Sequence, residues 1–186
     1  MKERENFLDS LSDIDPLDII VIDEAGANLG MATDYSRAEG GDRAEAPKPF
    51  VTGQKFSMIG AISMMSIVAI MYVELAVNTD IFVNYVKTLL LPKLQKGQYV
   101  ILDNAKIHKS EEIIKLIEGV GAKVVFLPPY SPDLSPIEKM WSKVKGVLKR
   151  MMPRTKGDFH NALATALNSV NGQDCEEWFE SCGYLA

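Results

Sequence analysis

The sequence predicts a three-layer α/β domain built on a mixed five-stranded sheet with helices on both faces. Two near-continuous apolar runs, LDIIVIDEAG at 17–26 and QYVILDNA at 98–105, each end in an acid, the pattern of central strands covered on both sides. Strands come first along the chain and helices then alternate with strands, which points to helices packed on a largely buried sheet. With 186 residues, 47% of them hydrophobic, the chain is long enough for one domain that buries about two-thirds of its unfolded surface.

Residues 2–12 read as a short amphipathic helix through Phe7, Leu8 and Leu11, closed off before Pro16. The first strand follows and ends at Asp23 in a glycine turn. Residues 31–55, rich in glycine and charge, read as a strand piece plus an irregular loop. From Phe56 to Val73 the chain has eighteen residues without a charge, the length of a membrane span. Gly60 and three serines interrupt it, and it divides into FSMIGAIS and SIVAIMYVEL, two strands covered on both faces, so no membrane partner is expected.

Asn78 is placed to cap a helix through Ile81, Phe82, Tyr85, Val86, Leu89 and Leu90, which ends or kinks at Pro92. After the strand ending at Asp103, Ser110 caps EEIIKLIEG, with Glu111 and Glu112 in the first turn where the helix dipole favours them. AKVVFLPP is the fifth strand. Ser135-Pro136-Ile137-Glu138 then starts a helix: Ser135 as N-cap, Pro136 where its missing N–H costs nothing, Glu138 as the other half of a capping box. Ile137, Met140, Trp141, Val144 and Leu148 give that helix its apolar stripe. Residues 158–182 read as two short helices. The resulting division is a leading helix and linker at 1–16, a core at 17–150 and C-terminal helices at 151–186.

The net charge is −5, yet residues 139–156 hold seven basic side chains and no acid, leaving 13 basic against 25 acidic residues elsewhere. Such a run is either a solvated helix face or a directed surface for phosphates, which respond to local charge. Cys175 and Cys182 have no histidine between them, so a zinc site is not expected. Free thiols and a charged N-terminus without an apolar segment behind it point to a cytoplasmic protein.

Asp23 and Asp103 each end an apolar strand where chain leaves sheet, and adjacent strands would bring them to one crevice. Glu138 is placed to face it. Its local pattern is that of a helix cap, and that alternative stands beside a functional one. Three carboxylates within a few ångströms repel by about 4 kcal/mol per pair at an effective dielectric near 20, so they need a cation. All-oxygen ligands favour Mg²⁺ or Mn²⁺, and two such ions suit phosphoryl displacement. Glu24 points to the opposite face from Asp23 if the strand continues, and is not counted among the ligands.

IDEAG at 22–26, LDNAKIH at 102–108 and LPPYSPDLSPIEKMWSKVK at 127–145 resemble the three signature blocks of bacterial insertion-sequence transposases related to the mariner group, within the DDE endonuclease superfamily. The order agrees, as does the gap of 34 residues between Asp103 and Glu138, and the similarity extends from FLDSL near the N-terminus to WFESCGY near the C-terminus. The resemblance implies a ribonuclease-H-like fold in which Asp23, Asp103 and Glu138 hold two Mg²⁺ or Mn²⁺ ions. Water would first cleave a transposon end, and the freed 3′-hydroxyl would then attack target DNA.

Asn104 and His108 follow the second acid in the family pattern and are expected to orient the site or touch DNA, with a structural histidine as the alternative. Lys106, Lys109 and Lys145 are candidate phosphate contacts, and Lys139, Lys143, Lys149 and Arg150 along the same helix would hold the DNA backbone. Family members carry an N-terminal helix-turn-helix region that is not in these 186 residues, which implies a separately encoded recognition half or a catalytic fragment. A dimer is expected in the DNA complex, and a bacterial protein would associate with the nucleoid when bound to DNA. Two other readings remain: a hydrolase of similar fold that cleaves without joining, and a catalytically silent fragment that regulates a full-length transposase.

Overall fold

The computed structural model describes residues 2–33 and 53–184; the strand piece and loop expected at 31–55 lie largely outside the described residues. The chain runs α1 (Lys2–Leu11), β1 (Ile19–Asn28), β2 (Lys55–Ser63), β3 (Ile67–Val73), α2 (Thr79–Tyr85), β4 (Tyr99–Leu102), α3 (Glu111–Gly119), β5 (Lys123–Phe126), α4 (Pro136–Met151), α5 (Lys156–Asn168) and α6 (Gly172–Ser181). The uncharged stretch 56–73 is two strands, as its serines and Gly60 indicated. No helix of the described residues is long and apolar enough to cross a membrane.

One mixed sheet orders these strands β3-β2-β1-β4-β5. Antiparallel pairs join β1 to β2 and β2 to β3, while β1, β4 and β5 run parallel. The parallel pairs require crossovers, and α2 and α3 supply them. β1 is therefore the middle strand, with Ile19, Ile20, Val21 and Ile22 all buried, and it does not end at Asp23 in a glycine turn as expected: pairing with β2 carries it through Gly26 to Asn28.

Alternation along β1 assigns its side chains to two cores. Ile19 and Val21 join Ile137, Met140, Trp141, Val144 and Leu148 of α4, with Phe159 of α5 and Phe179 of α6. Ile20 and Ile22 join Phe82, Tyr85 and Val86 of the α2 region and Ile113 and Ile117 of α3. The three layers are thus α1, α4, α5 and α6 on one face, the sheet, and α2 with α3 on the other.

Helix ends follow the residue chemistry unevenly. Asn78 accepts a hydrogen bond from the Ile81 N–H at 2.9 Å. α2 continues through a wider turn at Val86–Leu90 and stops in a tight one at Leu91–Lys93, around Pro92. Thr155 with Asp158 and Asn171 with Asp174 close reciprocal capping boxes on α5 and α6. Ser110 and Ser135 stand at the cap positions of α3 and α4, but neither hydroxyl makes the expected cap bond. At α4 the box is absent: Ser135 is buried while the Glu138 side chain is exposed.

Candidate active site

The register of the sheet explains how two distant acids meet. β1 and β4 pair Ile19 with Tyr99, Ile20 with Val100 and Val21 with Ile101. Continued two residues further, that register sets Asp23 opposite Asp103, on the face that carries α4. On its other side Asp23 pairs with Gly60 of β2. Gly60 has room for no side chain there: a Cβ would stand 2.7 Å from the Trp141 ring. The indole's Cζ2 and Cη2 atoms fill that gap and seat α4, so Glu138, one turn earlier, comes over the same part of the sheet. Asp23, Asp103 and Glu138 line one cavity of about 360 Å³, completed by Asn104, Ala105 and the Leu127–Pro132 loop.

The electrostatics of this end are those of crowded carboxyls. Burial pushes the Asp23 carboxyl up to about 7, against a backbone hydrogen bond at Glu24, and the charges of Glu138, Glu24 and Asp103 add to the rise. Asp103 is held below the usual carboxylate range, chiefly by the hydrogen bond from His108. The His108 Nδ1 stands 2.5 Å from Asp103 Oδ1, and its Nε2 stands 3.0 Å from Glu24 Oε1. With both ring nitrogens facing carboxylate oxygens, both carry protons. Burial opposes that charge, but the two carboxylates outweigh it and raise the imidazole to about 9.

Asn104 donates its side-chain N–H to the Leu127 carbonyl and so ties the end of β4 to the chain leaving β5. Tyr130, at the cavity mouth, is 99% exposed and adopts a left-handed φ of 57°. An aromatic residue in that region is a genuine outlier.

Oxygen donors without thiols fit a hard divalent cation. Yet among the described residues no three Asp, Glu, His or Cys side chains stand close enough together to enclose an ion. The Oδ1 atom of Asp103 is already engaged by His108 and by the Ala105 N–H at 2.8 Å. Its Oδ2 takes part in neither bond.

The basic residues divide. Lys143 pairs with Asp174 of α6 at 2.6 Å, and Lys139 donates to Ser181, so both fasten α6 to α4. Lys109 lies over the Phe126 ring at 5.9 Å, and Lys106 is exposed. Lys145 falls two turns beyond Glu138 on the same stripe, with Lys149 another turn on. Arg150, with Lys139 and Lys143, lines a groove between α4 and α6. Glu24, not counted among the ligands, contacts His108. Alternation correctly put it on the opposite face, but spacing gave no sign that His108 would bridge it to Asp103.

Residues 18–159 match the family described as DDE superfamily endonuclease. No curated protein matches the chain. Among solved structures, a pre-cleavage Mos1 transpososome superposes with a TM-score of 0.82 at 16% identity, covering 98% of this chain and 59% of the other. The catalytic domain of Mos1 mariner transposase gives 0.75 at 15% identity, covering 97% and 87%. The Mos1 transposase catalytic domain with Raltegravir and Mg gives 0.74 at 15%, covering 98% and 87%. The chain therefore spans about three-fifths of the transpososome protein and nearly all of the isolated catalytic domain. A mixed five-stranded sheet between two helical layers, with one carboxylate midway along its central strand and another just past the end of the neighbouring parallel strand, is the ribonuclease-H-like arrangement. The chain belongs to the DDE superfamily endonuclease family.

Proposed function

We propose that this chain is a transposase catalytic domain that cleaves DNA at a transposon end and joins the freed 3′-hydroxyl to target DNA. The observation that carries it is the convergence of Asp23, Asp103 and Glu138 on one cavity at the sheet end, within a chain of the DDE endonuclease family. These three carboxylates would hold two Mg²⁺ or Mn²⁺ ions, a choice supported by Mos1 catalytic-domain structures with Mg and with Mn. Bound there, the ions supply activation of the attacking hydroxyl and charge relief at the leaving oxygen.

The chain's own residues do the rest. Asp23 and Asp103 are fixed by strand register, and Glu138 by the seating of Trp141, so the cavity is organised before substrate arrives. Asn104 holds the loop that forms the cavity wall. Lys106, Lys109, Lys145 and Lys149 would offer positive charge to phosphates, whereas Lys139 and Lys143 would add to the field while holding α6. The partners are transposon-end and target DNA and a second copy in the DNA complex. The solved transpososome of Mos1 supports the DNA assignment.

The test is Mn²⁺- or Mg²⁺-dependent nicking and joining of short duplexes, with wild type beside Glu138→Gln. Metal-dependent product that disappears in the folded variant is expected. Equal product from both proteins would overturn the assignment. Cleavage without joining would favour a hydrolase. An inactive chain that lowers transposition by a complete enzyme would favour a regulatory fragment.

A further inference from the structure

We propose that Glu24 is a positioning residue for the second site acid, acting through His108 to fix which oxygen of Asp103 faces the cavity. This rests on Asp103 being a metal ligand. Glu24 lies on the opposite face of β1 from Asp23 and belongs to the side that carries α2, away from the cavity-lining acids.

The geometry is a closed bridge. Glu24 Oε1 and His108 Nε2 are 3.0 Å apart, and His108 Nδ1 and Asp103 Oδ1 are 2.5 Å apart. The imidazole is fully buried and packs against the Phe82 ring at a centroid distance of 4.5 Å, so it has no freedom to seek other partners. The bridge also stands where β1 and β4 no longer pair, while β1 goes on pairing with β2. Paired residues of β1 and β4 end at Val21 and Ile101, two residues short of the acids. Beyond that point Glu24, His108 and Asp103 in sequence tie β1 to the end of β4.

The consequence falls on Asp103. Its Oδ1 accepts from His108 and from the Ala105 N–H at 2.8 Å, which pins the carboxylate plane and presents Oδ2. Without Glu24 the imidazole keeps one anchor instead of two, and the carboxylate can swing. Outer partners of metal ligands change affinity by about 10- to 100-fold when removed. Glutamine at position 24 would still accept a hydrogen bond from Nε2, whereas alanine or valine would not.

The experiment titrates the full chain with Mn²⁺, reading free Mn²⁺ by electron paramagnetic resonance, alongside duplex cleavage as a function of Mn²⁺ concentration. Variants are Glu24→Gln, Glu24→Ala, Glu24→Val and Asp103→Asn, each checked for a cooperative melt. Valine retains strand propensity if alanine does not fold. Expected are near wild-type affinity for Glu24→Gln, a roughly 10- to 100-fold loss for Glu24→Ala and Glu24→Val, and cleavage by these two recovered at high Mn²⁺. Wild-type affinity in the alanine or valine variant, with affinity lost in Asp103→Asn, would overturn the role of Glu24 and leave the site intact. Equal losses in Glu24→Gln and Glu24→Ala would overturn it as well, since the acceptor would then be irrelevant. Wild-type affinity in Asp103→Asn would remove the ligand assignment itself.

Discussion

Gly60 of β2 lies beneath the indole of Trp141, so close that an added Cβ would stand 2.7 Å from the ring atom Cζ2. Gly60 is also the cross-strand partner of Asp23. One contact therefore sets both the depth of α4 on the sheet and the position of Glu138 over the acids. Gly60→Ala is expected to cost about 1–3 kcal/mol, the usual penalty for overfilling a packed core. It should lower cleavage further than the unfolded fraction explains. Urea denaturation and cleavage rates measured at a temperature where both proteins are folded would check this, and unchanged values for both would show that α4 shifts without consequence.

The metal-free protein should lose stability as pH rises through the Asp23 transition. Burial lifts that carboxyl from 3.8 to about 7 in the folded state. The folded chain therefore keeps a proton that the unfolded chain releases. Stability from this group is complete below about pH 4 and declines until the pH reaches about 7. Melting temperatures in chelator across this window should fall, and the fall should shrink in Asp23→Asn. Added Mn²⁺ should oppose it, since the cation favours the charged form. A flat profile in chelator would mean that Asp23 stays ionised.

Much of this architecture was legible because it rests on period and sign. The apolar runs ending in Asp23 and Asp103 located the central strands, and a three-and-four spacing located the buried side of α4. What escaped was whatever depended on pairs distant in sequence. Ser135 and Glu138 have the spacing of a capping box, but packing buries Ser135 and leaves Glu138 out, so tertiary position overrides local pattern. Seven basic residues looked like one surface, yet Asp174 and Ser181 arrive from α6 to engage two of them. Glu24 and His108 are 84 residues apart, and nothing local records their bond.

That division among the lysines can be tested. Lys143 meets Asp174 at 2.6 Å, and the same Asp174 oxygen accepts from the Asn171 N–H in the cap of α6. Lys143→Ala should cost about 0.2–1 kcal/mol, as for partly exposed ion pairs. Lys145→Ala should leave stability unchanged and reduce the salt slope of DNA binding by about one contact. Fluorescence anisotropy across a salt series, with denaturation curves for each variant, separates the two. A stability loss in Lys145→Ala with no change in slope would reverse the assignment.

Among the described residues two non-glycines hold a left-handed backbone, and they should respond differently to glycine. Met152 has φ 47° at the C-terminus of α4, where its N–H reaches the Leu148 carbonyl at 3.0 Å. Tyr130 has φ 57° at the cavity mouth. The left-handed region costs an ordinary residue about 1–2 kcal/mol, and glycine avoids that cost. Met152→Gly is therefore expected to raise stability by up to about 1 kcal/mol and leave DNA binding unchanged, because its strain serves only a helix end. Tyr130→Gly should also gain stability, since a ring that is 99% exposed buries nothing in the fold. It should lose DNA affinity, as removal of a base-stacking aromatic costs about 1–3 kcal/mol, and Tyr130→Phe should keep that affinity. Strain retained at the mouth of a site and absent of benefit to the fold marks a residue held for its ligand; equal DNA binding by Tyr130→Gly and wild type would show that this loop carries strain without such a use.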